Sequence, residues 1–213
     1  MNIPAAVGLA VILTLTGCGS DKAPVAQQPP ASAAPASSAP GAAPAAAEGE
    51  LIGAKGSACP MPLSFRAAAG WKPSAVDVKS LGELAALAKI GDFTVVCEID
   101  AKPAGSIGFI RVHVAKGLSG LPREHLASFV KADGKGKEVS GAVYSDVQIG
   151  GGQAAEVTWE VYSAVAEQRT RYTAFALNTG DGAVVVRLAP FDEGEHAGML
   201  PAYELAKQTV KAA

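Results

Sequence analysis

Aromatic side chains are scarce in this 213-residue chain: Phe, Trp and Tyr make up 6% of it, against 49% for hydrophobic residues of every kind. Most of the apolar content is therefore Ala and Val, and much of the Ala stands before residue 50. Cysteine is rare too, with three copies, and no apolar run approaches the ~20 residues that a membrane-spanning helix needs. An excess of one charge is missing: the 163 residues from Leu51 to Ala213 carry 17 Lys/Arg and 17 Asp/Glu. A neutral domain has no electrostatic footprint for nucleic acid or anionic lipid.

Chemistry-bearing motifs are absent as well. There is no Gly-x-Ser-x-Gly elbow, phosphate loop or dinucleotide fingerprint. His113, His125 and His196 each stand without a second His or Cys at ligand spacing, so no metal and no cofactor is expected. Asp192, Glu193 and Glu195 lack the alternating oxygen ligands of a calcium loop and read as a solvated approach to a last helix. Nothing in the sequence points to an enzyme.

What is present begins at the N-terminus. Ala5 to Leu15 is an 11-residue apolar run, too short to span a bilayer and suited to a signal peptide. Leu15-Thr16-Gly17-Cys18 resembles a bacterial lipobox, an aliphatic residue and two small ones before the cysteine. That resemblance implies removal of residues 1–17 and a diacylglyceryl group on Cys18, with palmitate as a typical further acyl chain. Met1 to Pro4 has no Lys or Arg, which departs from the usual basic start of a signal and points to a start codon further upstream.

Residues 18–50 follow as the lipidated cysteine and its tether. From Gly19 to Glu50 there are 12 Ala and 6 Pro among 32 residues, with no Leu, Ile, Phe, Trp or Tyr. Such a segment cannot bury enough apolar surface to order itself. It is expected to be a spacer reaching between roughly 30 Å and 100 Å. Residues 51–213 then form one ordinary domain. With Cys18 lipidated, Cys59 and Cys97 remain as an even pair in a compartment that permits disulfides. A Cys59–Cys97 bridge is the favoured reading, and a buried free thiol at Cys97 is the alternative.

Within the domain, Pro62–Phe65 reads as a short strand ended by a turn at Ala69–Pro73. Leu81, Leu84, Leu87 and Ala88 have helical spacing, which predicts a helix over Leu81–Ile90. Alternation predicts strands over Phe93–Ile99 and Ile107–Ala115, with Phe93, Val95, Cys97 and Ile99 on one face. A helix starts at Pro122, and strands follow over Tyr144–Ile149, Glu156–Tyr162, Arg169–Leu177 and Ala183–Leu188. A last helix lies near Gly198–Lys211. The layout is α+β, an antiparallel β-sheet with helices packed on it.

The opening strand with Gly70-Trp71-Lys72-Pro73, the helix and paired strands, and Ile149-Gly150-Gly151-Gly152-Gln153 before small residues resemble the PsbP-like α/β/α sandwich. With the lipobox and tether, the chain is similar in style to actinobacterial surface lipoproteins of the LpqN/LpqT kind. The resemblance spans roughly Pro62 to Lys211 and implies a non-catalytic domain that binds or assists partners at a membrane.

Candidate recognition residues are few. Trp159 follows the inward alternation and reads as core. Trp71 sits at a turn, where it caps the sandwich or lines a binding surface. Tyr162 and Tyr172 fall on the phase opposite their strands' larger apolar residues and would form a small recognition face if exposed together. The expected function is a lipid-anchored module outside the cytoplasm, on the cell membrane, that engages an envelope protein or apolar ligand. A carrier for envelope lipids, which needs an apolar cavity inside the sandwich, is the first alternative. A hydrolase that gathers its site from distant residues is the second.

Overall fold

The computed structural model describes residues 44–212. The signal segment, Cys18 and nearly all of the tether lie outside them. Two short strands open the domain, β1 (Glu48–Ile52) and β2 (Leu63–Ala68), followed by β3 (Lys72–Ala75). β1 takes in Glu48–Glu50, which the composition assigned to the tether, because its backbone pairs antiparallel with β2 from Glu48 opposite Ala68. Next come β4 (Lys89–Ile90), β5 (Phe93–Asp100), β6 (Gly108–Lys116) and helix α1 (Pro122–Asp133). Four long strands follow, β7 (Glu138–Ile149), β8 (Gly152–Ser163), β9 (Gln168–Thr179) and β10 (Gly182–Pro190). Helix α2 (Glu193–Thr209) and β11 (Lys211–Ala212) close the chain.

The large sheet runs β3-β5-β6-β10-β9-β8-β7, with β4 on β5, and its pairings are antiparallel. β1, β2 and β11 form a smaller sheet. The long hairpins are written in the turns: Gly150 and Gly151 adopt φ of 61° and 80° between β7 and β8, a backbone that side-chain-bearing residues disfavour.

Helices and the small sheet pack on both faces of the large sheet, each over part of its length. On one, Val112, Phe175, Val184, Val186 and Leu188 pack with Phe65 of β2 and with Met199 and Tyr203 of α2. On the other, Val157, Trp159, Ala174 and Val185 pack under Leu126, Phe129 and Val130 of α1. This gives the α/β/α sandwich of the α+β class that the sequence predicts.

Two local expectations are corrected. The segment Val78–Ala88 is not an α-helix but 3-10 turns, broken where Gly82 takes φ 53° and ψ −122°. Leu84 and Leu87 stay 60% and 80% exposed, so the helical spacing had no surface to bury against and did not organise the backbone. In β5, a bulge between Val95 and Cys97 shifts the register on β6. The extra residue sends Phe93 to the α1 side and Cys97 and Ile99 to the α2 side, so the four do not share one face.

Cys97 thereby meets Cys59, and the two form a disulfide with Cα atoms 5.7 Å apart. The bridge joins the large sheet to the loop between β1 and β2.

Candidate functional site

The residues singled out for recognition do not come together. Trp71 stands in the turn between β2 and β3 and packs half-buried against the α2-side core. Tyr162 lies on β8 near the opposite edge and faces the α2 side, with the Arg169 guanidinium 5.4 Å from its ring centroid. Tyr172 pairs with Trp159 across β8 and β9, so it faces the α1 side. The shared recognition face expected of Tyr162 and Tyr172 is therefore corrected. In β8 the large apolar side chains point to α1, in β9 to α2, so opposite phases of the two strands end on opposite faces.

Tyr172 nonetheless belongs to a site. Beyond the C-terminal end of α1 the sheet is left uncovered, and a cleft of about 250 Å³ opens there, lined by Phe109, Arg111, Tyr172, Arg187 and Phe191 among others. Each strand contributes by register: Arg111 of β6 stands opposite Arg187 of β10, and Phe109 opposite Ala189. Ile107 and Phe191, joined by a 2.9 Å backbone hydrogen bond, form the rim and are 53% and 66% exposed. Gly108 behind them is obligatory, because a Cβ there would stand 2.8 Å from the Ala189 carbonyl oxygen and 2.7 Å from Met199 Cε.

Two guanidinium groups face this cleft, and their counterions stand apart from its lining. Arg111 Nε donates to Glu98 Oε1 at 2.6 Å, and its guanidinium sits 5.0 Å from the Phe109 ring centroid. Arg187 is 5% exposed and donates through Nη1 to Asp133 Oδ1, the last residue of α1, at 2.9 Å. Its guanidinium lies 4.1 Å from the Tyr172 centroid and 5.5 Å from that of Trp159. These are cation–π contacts shielded from water, where such contacts are strongest. The Arg187–Asp133 pair is incomplete: among the described residues Arg187 Nε, Asp133 Oδ2 and Trp159 Nε1 have no hydrogen-bond partner. Buried polar atoms without partners are uncommon, and their gathering here marks the place as chemically unusual.

The histidines are dispersed, and none bonds a carboxylate among the described residues. His113, buried beside Arg187 and Arg111, has its pKa lowered to about 3, first by burial and then by those two cations. His125 bonds Asn178 at 3.1 Å and His196 bonds Thr173 at 2.9 Å. Burial, and then Arg171, also lowers the His196 pKa. No group of three metal-capable side chains occurs among the described residues.

A second recess, about 370 Å³, runs along α2 between Leu200, Pro201 and Leu205 and the chain at Ala45 and Ala46. It lies at the surface, outside the packed core.

A family model described as an uncharacterised lipoprotein matches residues 28–210. The chain belongs to that lipoprotein family. No curated protein matches it. Among solved structures, the lipoprotein is similar to the solution structure of cyanobacterial PsbP (CyanoP) from Synechocystis sp. PCC 6803. The TM-score is 0.52 at 10% identity, over 71% of this chain and 87% of that one. At that identity the likeness concerns the fold, which is PsbP-like. Among the described residues no helix is long and apolar enough to cross a membrane.

The cleft itself was hidden from sequence reasoning. Its members come from β6, β9 and β10 and from the chain just before β6 and just after β10, and only strand pairing brings them together. The one signal was Tyr172, which the alternation of β9 singled out.

Proposed function

We propose that this lipoprotein is anchored through Cys18 on the extracytoplasmic face of the cell membrane and acts there as a non-catalytic binding module for an envelope protein. In this reading residues 1–17 are the signal peptide, residues from Cys18 onward hold the domain off the bilayer, and the cleft is the contact surface. The finer likeness to actinobacterial lipoproteins of the LpqN/LpqT kind is part of the same proposal. The observation that carries it is the cleft: exposed Phe191 and Ile107 beside two arginines and a tyrosine. Aromatic residues and Arg are the types enriched where proteins bind proteins.

The carrier reading draws support only from the recess along α2. The sandwich interior is filled by side chains such as Phe65, Phe175, Val184 and Tyr203, each fully buried. A hydrolase gains no support from histidines whose partners are Asn178 and Thr173.

The test is crosslinking on intact cells and co-purification, with the native chain beside an Ile107→Asp/Phe191→Asp variant. Both positions are exposed, so the variant folds. One reproducible envelope protein recovered with the native chain and lost with the variant is expected. Equal recovery with both would overturn the assignment of the cleft.

A further inference from the structure

We infer that the cleft recognises a carboxylate set beside an apolar or aromatic side chain, presented by the partner protein. The inference rests on the reading of the cleft as the binding face and adds the chemistry of what it takes.

The charge arrangement leads there. Arg111 and Arg187 line the cleft, whereas Glu98 and Asp133 are absent from its lining. Each arginine spends one bond on its carboxylate, Arg111 through Nε and Arg187 through Nη1. A guanidinium has five N–H donors in a planar fork suited to carboxylate oxygens. The Arg111 side chain is 37% exposed, so its remaining donors are open to an incoming group. Arg187 is fixed by Tyr172 and Asp133 and cannot swing away to water. The walls next to these donors, Phe109, Tyr172, Pro190 and Phe191, are apolar or aromatic. A purely apolar group would leave the Arg111 donors covered and unpaired, which costs affinity. A cation would meet the two guanidinium groups at the lining, because the carboxylates that balance them, Glu98 and Asp133, stand outside it. A carboxylate with an apolar neighbour satisfies both parts of the surface, and its bond to Arg is charge-assisted.

Glu98 competes with such a ligand for Arg111. Its removal therefore strengthens binding, an effect opposite to that expected of a residue that merely supports the fold.

The experiment uses the full chain in detergent micelles, titrated by calorimetry with acetyl-Leu-Phe-Glu-Leu-amide, with its Gln counterpart, and with free 3-phenylpropionate. The Glu peptide is expected to bind about tenfold more tightly than the Gln peptide, and the contrast is expected to vanish in Arg111→Gln and to widen in Glu98→Gln. Equal affinity for the two peptides overturns the inference. Binding of 3-phenylpropionate without the Glu peptide overturns the protein source of the carboxylate. Should neither peptide bind, the inference falls, and the Ile107→Asp/Phe191→Asp variant separates the two claims. Loss of the partner in that variant leaves the cleft as the binding face, while retention removes both.

Discussion

Removing the Cys59–Cys97 bridge is the perturbation whose size follows most directly from the structure. The bridge closes a 38-residue separation. In the chain-entropy model a loop of that length restricts the unfolded chain by about 4 kcal/mol. Both cysteines are at most 1% exposed and belong to the α2-side core. A Cys59→Ala/Cys97→Ala variant keeps small apolar groups there and isolates most of the crosslink effect. For a domain of this size about 1 kcal/mol shifts Tm by roughly 2–4 °C. The loss should therefore lower Tm by about 8–16 °C in scanning calorimetry, and a reductant should do the same to the native chain. The variant itself should not respond to reductant. A native chain whose Tm ignores reductant, or two free thiols titrated after denaturation without reductant, would refute the reasoning.

Further outcomes follow from the buried charges and the anchor. Asp133→Asn breaks the ion pair beneath α1, where both side chains are 6% exposed. It should cost about 3–5 kcal/mol by urea denaturation, while Arg187→Met/Asp133→Leu should cost clearly less. His113 has a folded pKa of about 3 against an ordinary 6.5, so the unfolded chain binds the extra proton. Its contribution is fully present above about pH 6.5 and is lost as pH falls toward 3, up to about 4–5 kcal/mol. His113→Leu should flatten the stability profile between those limits by up to about 1.4 kcal/mol per pH unit, read from urea midpoints. An unchanged slope would contradict the neutral, buried state of the ring. Cys18→Ser should move the protein from the membrane fraction to the soluble fraction, measured by immunoblot after fractionation.

How much of this was legible in the sequence depended on whether one strand or several carried the signal. Strands β5, β6, β8, β9 and β10 announced themselves because each has its own apolar pattern and a glycine-bearing turn on at least one side. The disulfide was legible from count and compartment. The helical spacing of Leu81, Leu84 and Leu87 misled, since periodicity reports which residues could share a face but not whether a surface exists to receive them. The bulge at Val95–Cys97 was invisible because inserting one residue leaves the exposure pattern of β5 alternating while changing which layer each side chain enters. Tyr162 and Tyr172 looked alike for a related reason. In a sheet covered on both sides, either phase of a strand can be the buried one. The cleft needed Arg111 opposite Arg187 and Tyr172 two residues along β9 from Ala174, the residue opposite Arg187, and no single segment encodes that.

The central claim, that the uncovered end of the sheet is where this lipoprotein meets its partner, is tested most directly by site-specific photo-crosslinking on intact cells. A photoreactive residue is placed in turn at Phe191 and at Leu87, two exposed apolar positions of which only the first lies in the cleft. The account predicts one discrete envelope-protein adduct from position 191, suppressed by Arg111→Gln, and none from position 87. The same adduct from position 87, or none from 191, would contradict it.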